Sequence, residues 1–205
     1  MASRLVGLQR QLAWRDFGAP RPGPTPPPGT TATAAQTRAR PNRTVFAEHV
    51  PGTRPPEFRL RDSVTVSVEI DTSNTWVMNW VFSQPTTFQD SLLHHEQGHY
   101  DMVALFCRDM FIELMALKDQ TFSQAADVMT AVQAIYTRYD AFIANVHAPY
   151  DAAAQHGRVP AQQTRWDGFI QTAFTQARNP PVNAPDGTPY KVQLADCLRN
   201  AGIQI

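Results

Sequence analysis

The stretch His95-Glu96-Gln97-Gly98-His99 sets two imidazoles four positions apart, with a carboxylate directly after the first. In an α-helix of 3.6 residues per turn, His95 and His99 lie about 40° apart on one face, so both rings can reach a single Zn²⁺. Glu96 is the next residue round. Its carboxylate then faces an attacking water rather than the ion, which suits a general base in metal-assisted hydrolysis. Three such fixed positions recur by accident in roughly one chain of this length in a hundred, so the motif has to be weighed with its surroundings.

The surroundings supply the helix that the motif needs. Asp90 or Ser91 can cap its start, and Leu92, Leu93, Met102, Val103, Phe106, Met110 and Leu114 repeat near helical spacing as far as about Leu117. Upstream, Val64, Val66, Val68 and Ile70 alternate with polar residues, the period of a strand with one buried face. After the turn Asp71-Thr72-Ser73-Asn74, Trp76, Met78 and Trp80 alternate again, so the two strands read as an antiparallel hairpin running up to Pro85. Downstream, Thr121 or Ser123 can cap a second helix whose apolar stripe runs from Val128 to Val146 and reads as core. That helix should kink or stop near His147-Ala148-Pro149, because proline removes a donor and disfavours helix at the residue before it. A further helix is expected over roughly 161–177, carrying Trp166, Phe169, Ile170 and Phe174.

A catalytic zinc site usually has three protein ligands and an open position. His94 lies about 100° round the helix from His95 and cannot easily share its ion. His49 sits on an expected strand and reads as an ordinary strand residue. His147 and His156 both come after the second helix, where a returning chain would pass the motif. His156 precedes Gly157, which lets the backbone turn sharply and aim the ring. Asp151 is the carboxylate competitor, since its oxygen also ligates zinc.

The 205 residues suffice for one domain with a core, and 18 basic residues balance 18 acidic ones. No electrostatic footprint for nucleic acid is visible, and no apolar run approaches the ~20 residues of a membrane span. The N-terminus lacks the apolar core of a signal peptide, which taken literally keeps the chain in the cytoplasm. Residues 1–19, with the aromatic patch Leu12-Ala13-Trp14-Arg15-Asp16-Phe17, read as an anchor segment docked on the domain. Residues 20–43 read as a Pro-, Thr- and Ala-rich loop or spacer, and 44–205 as a single catalytic domain. Within 20–43, Thr30 to Thr37 fits either a strand or an ordered loop, and Arg178 to Pro189 reads as loop. Cys107 and Cys197 form no Cys-x-x-Cys pair; two free thiols are expected, with a disulfide to the C-terminal tail as the alternative.

Taken together, the aromatic segment at 12–17, Trp76-Val77, Leu93 through Asp101, and Tyr150-Asp151 with His156-Gly157 ahead of Trp166 resemble the bacterial domain of unknown function family 922. Its members are regarded as secreted zinc-dependent peptidases. Several carry a threonine two residues before the downstream His-Gly, where this chain has Ala154. The resemblance implies that Tyr150, Asp151 and His156 belong to the site. His156 is then the expected third ligand, Asp151 a carboxylate orienting an imidazole or an alternative ligand, and Tyr150 a donor to the oxyanion. Asp101, about 240° from His95, should face away from the metal and brace a loop. It also implies an α+β fold of the zincin type, with a small, mainly antiparallel sheet on the motif helix and further helices behind. A peptide or protein substrate would pair with the last strand before the motif. Two alternatives share these residues: a zinc-binding module without turnover, and a hydrolase of non-protein amides such as cell-wall cross-links.

Overall fold

The computed structural model describes residues 2–26, 33–178 and 189–205. Seven short strands and four α-helices form one mixed α+β arrangement among them: β1 Arg4–Val6, β2 Ala35–Gln36, β3 Ala39–Thr44, β4 Ala47–His49, β5 Phe58–Leu60, β6 Thr65–Ile70 and β7 Trp76–Val77 precede the helices α1 Thr86–Leu117, α2 Ala125–Ala154, α3 Pro160–Thr175 and α4 Leu194–Asn200. Short 3₁₀ turns occupy Trp14–Asp16 and Asn79–Ser83.

Helix α1 is the axle. It starts one turn before the expected caps, because Pro85 is extended at φ −53°, ψ 147° and its carbonyl accepts from the N–H groups of Phe88 and Gln89. Every residue from Met102 to Met110 is buried, so this half of the helix is enclosed on all sides rather than amphipathic. Two of those residues are charged, and they satisfy each other: Arg108 Nε donates to Asp109 Oδ1 (2.9 Å), while Asp109 Oδ2 accepts from the N–H of Leu194 at the start of α4. Arg108 also donates to the carbonyls of Ala173 and Val192. In this way one ion pair ties α1 to α3 and α4.

Strand β6 buries Val66 and Val68 and turns Thr65, Ser67 and Glu69 outward, as its period of two requires. Its partners differ from the expected hairpin. Parallel β1 takes one edge and antiparallel β3 the other, so no edge of β6 is left for β7. Strand β7 pairs instead with β2, Ala35 opposite Val77 and Gln36 opposite Trp76. Strands therefore appear within the stretch read as spacer, where residues 35–36 form β2 and 39–43 lie in β3. Pro41 fits β3 because β3 is an edge strand, free on one side of the need for an N–H. Of the proline-rich stretch, Pro27-Pro28-Gly29 lies outside the described residues, as do residues 179–188 of the C-terminal loop.

Helix α2 does not stop at Pro149 but runs on to Ala154. The proline forfeits one backbone donor, and burial of Tyr150 and Ala154 beyond it holds the last turn in place. Tyr150 and Asp151 are therefore helical residues and not part of a following segment. Gly98 explains how closely the helices approach: a Cβ there would sit 2.3 Å from the Tyr150 hydroxyl. After α2 the chain reverses through three left-handed residues, Gln155, His156 and Gly157, with φ of 48°, 55° and 80°. Both cysteines are free thiols, Cys107 buried and Cys197 half-buried. No helix among the described residues is long and apolar enough to cross a membrane.

Candidate metal centre

Helix α1 sets His95 and His99 on one face with ring centroids 4.8 Å apart, and α2 brings Asp151 opposite them. Asp151 Oδ1 lies 2.9 Å from His95 Nε2 and 2.9 Å from His99 Nε2. The ligand atoms of these three residues all lie within 4.8 Å of one another, and both histidines are buried. The other ring nitrogens are occupied from behind. His95 Nδ1 donates to Gln163 Oε1 at 3.1 Å, and His99 Nδ1 meets His147 Nδ1 at 2.9 Å. Both Nε2 atoms are thereby turned toward Asp151, the arrangement in which an outer partner fixes a ligand tautomer.

Electrostatics follow from this clustering. Burial opposes the charge on Asp151, but hydrogen bonds from His95 and His99 outweigh it and hold the carboxyl well below the usual carboxylate range. Burial likewise pushes His99 down, yet the Asp151 hydrogen bond and the Glu96 charge leave it raised overall. Burial lowers His147 to about 4, so that ring is neutral near pH 7. An ion at this centre would displace the protons shared between the two Nε2 atoms and Oδ1.

The donor set fits a divalent ion. A tetrahedral ion with bonds of about 2 Å wants donors about 3.3 Å apart. The 2.9 Å separations need to open by only a few tenths of an ångström, and the Asp151 side chain, 35% exposed, has room to withdraw. A second feature points the same way. Glu96 is 1% exposed and its Oε2 has no hydrogen-bond partner among the described residues. A buried acceptor left unpaired costs about 1–3 kcal/mol, so a donor is missing at this spot.

The expected third ligand, His156, is not in this set. Its Nδ1 lies 3.5 Å from Asp151 Oδ1, and its ring is edge-on to His95. The carboxylate that the sequence offered as orienting group or alternative ligand holds the inner place. Tyr150 also departs from its expected role. Its ring stacks on His95 at 4.4 Å, and its fully buried hydroxyl donates to the His95 carbonyl while accepting from Gln163 Nε2. A hydroxyl so committed braces the His95 main chain, and Tyr150 is not among the residues that line the cleft over the centre.

Gln163 is the residue that sequence reasoning missed. It is buried, its Oε1 accepts from His95, and its Nε2 donates to the Tyr150 hydroxyl (2.7 Å) and to Asp167 Oδ1 (2.9 Å). Two acceptors on the amide nitrogen leave only one way round for the amide. The available signal was a polar residue on the buried stripe of α3, one turn ahead of Trp166 and two ahead of Ile170. His94 points outward and pairs with Asp167 (2.9 Å), and Asp101 accepts from Gln97 Nε2 (2.8 Å), away from the centre. Gln97 in turn donates to the Arg10 carbonyl and accepts from the N–H of Leu12.

A cleft of about 400 Å³ opens over the centre, lined by Glu96, His99, His147, Asp151 and His156 and walled on one side by residues 35–38. That wall is β2, not the last strand before the motif. Ala34 O accepts from Met78 N, so in an antiparallel pair the N–H and C=O of Ala35 and Thr37 point away from β7. The far edge of β7 is taken by Gly18 and Arg21. Among the described residues, the free edge of this small sheet therefore belongs to β2. No protein-family model matches the chain, and no curated protein and no solved structure matches it either.

Proposed function

We propose that the chain is a zinc-dependent hydrolase of amide bonds, a peptidase of the zincin type belonging with the secreted enzymes that its motifs resemble. The observation that carries the reading is the unpaired Glu96 carboxylate oxygen, buried next to two imidazoles and a carboxylate that converge from different helices. His95, His99 and Asp151 would hold the ion, which would supply Lewis-acid chemistry toward water and the substrate carbonyl. Glu96 takes a proton from the attacking water and delivers it to the departing amine, so the base ends each cycle as it began. An extended substrate would add to the free edge of β2 through the main-chain groups of Ala35 and Thr37. His147 replaces Tyr150 as donor to the developing oxyanion: it lines the cleft, and by accepting from His99 at Nδ1 it keeps its own proton on Nε2.

Metal analysis of the purified chain should give one zinc per molecule. Glu96→Gln should keep that zinc and lose peptide hydrolysis by about a hundredfold or more, the usual scale for a positioned base. Equal turnover by wild type and Glu96→Gln would remove Glu96 from the mechanism. A second reading, a closed zinc module without turnover, draws on His156 Nδ1 standing 3.5 Å from Asp151 Oδ1, near enough to fill the fourth position. It requires that a hydroxamate, which needs an open position on the metal, fails to bind the zinc-loaded protein.

A further inference from the structure

Two arginines around β2 and β3 have a partner. Arg21 stacks over Trp76 at 4.5 Å, and Arg43 pairs with Asp140. Arg38 differs. Its main chain is fixed, with N–H donating to Thr75 Oγ1 and C=O accepting from Asp71 N, but among the described residues no carboxylate pairs with its guanidinium. The residue is exposed, lines the cleft over the metal centre, and stands just past the free edge of β2. Beside it, Thr37 Oγ1 is buried with no hydrogen-bond partner among the described residues.

Charge in the cleft sharpens the point. Its lining holds two carboxylates, Glu96 and Asp151, and one permanent cation, Arg38. A divalent ion cancels the two carboxylates and leaves the arginine uncompensated.

We propose that Arg38 is a specificity-determining residue that binds a carboxylate of the substrate, so that the site takes peptides with a negative group next to the bond at the metal. This rests on the hydrolase reading. A planar guanidinium matches a carboxylate through two parallel N–H···O bonds, and a neutral amide offers no such match. The carboxylate has two possible sources, which lie on opposite sides of the bond. A substrate antiparallel to β2 brings an acidic side chain from its N-terminal part to Arg38, and a parallel one brings its C-terminal part, free carboxylate included.

The test uses the full chain loaded with zinc and matched pools of randomised hexapeptides, with Glu or Gln at a central position and a free or amidated C-terminus. Retention on the protein is read by mass spectrometry and does not depend on turnover. Wild type should retain one carboxylate pool about tenfold over its amide counterpart, the scale of a charge-assisted pair against a neutral one. Arg38→Gln should abolish that preference and Arg38→Lys restore part of it, and the pool concerned identifies the source. Equal retention of all pools by wild type, or a preference that survives Arg38→Gln, overturns the assignment. Absence of peptide hydrolysis by the zinc-loaded wild type would defeat the hydrolase reading while leaving the retention result to decide Arg38.

Discussion

Removing Gln163 tests whether the centre is built from behind as well as from its ligands. Gln163→Leu keeps an apolar side chain of similar length in α3 but deletes three contacts: the acceptor for His95 Nδ1, the donor to the Tyr150 hydroxyl and the donor to Asp167. Net losses of about 1 kcal/mol per hydrogen bond, with buried partners left unpaired, lower stability by about 2–4 kcal/mol. Metal affinity falls separately, because His95 is then free to carry its proton on Nε2, the nitrogen that should face the ion. Loss of an outer partner of this kind weakens binding about ten- to a hundredfold. Zinc titration against a competing chelator gives the second quantity and urea unfolding of the metal-free protein gives the first. Gln163→Glu separates them. Its carboxylate still accepts from His95, so zinc affinity should hold, while the lost donors to Tyr150 and Asp167 make the fold less stable. If Gln163→Leu binds zinc as tightly as wild type, the chain from Asp167 through Gln163 to His95 plays no part in holding the ligand.

Three further outcomes follow from the geometry. Asp151→Ala should lose most of its zinc binding in the same titration and His156→Ala far less, the reverse of what the motif pattern alone suggests. Gly98→Ala drives a methyl group against the Tyr150 hydroxyl and should cost about 1–3 kcal/mol of stability in urea unfolding, as overpacking does, while easing nothing at the metal. Burial pushes the Asp109 carboxyl up to about 6 although Arg108 pulls it down. The folded state therefore keeps this proton to higher pH than the unfolded chain, whose value is about 3.9, so the contribution to stability is complete below pH ~4 and is lost as pH rises to about 6. Asp109→Asn should flatten that slope in unfolding midpoints measured across the interval, at the expense of a lower stability throughout because Arg108 loses its charge partner.

Much of the centre could be read from the sequence because its first half is local. His95, Glu96 and His99 share two turns of one helix, and helical spacing alone brings them together. The second half is not local. Asp151 reaches the centre only because α2 continues past Pro149 and Gly98 lets it lie close, and neither fact follows from propensity at 147–149. Sequence rules treat proline as a stop because they count the lost donor and not the packing of Tyr150 and Ala154. The missing hairpin has a similar cause. Alternation told which face of β6 is buried, but its neighbours come from residues 4–6 and 39–44, and periodicity carries no information about partners. The wall of the cleft came out one strand away from expectation for the same reason.

The grip of Gln97 and Tyr100 on the start of the chain adds a thermodynamic link. Tyr100 donates to the carbonyl of Gly7 (2.7 Å) and Gln97 clasps Arg10 and Leu12, while the intervening helix face presents His95 and His99. One turn of α1 thus holds the metal ligands on one side and residues 7–12 on the other. Occupancy of the centre stabilises that turn by mass action, and the same free energy protects whatever must leave before the turn can open. Backbone amides of β1, far from the cleft in sequence, should exchange with solvent more slowly when zinc is bound, and trimming the first residues should loosen the metal.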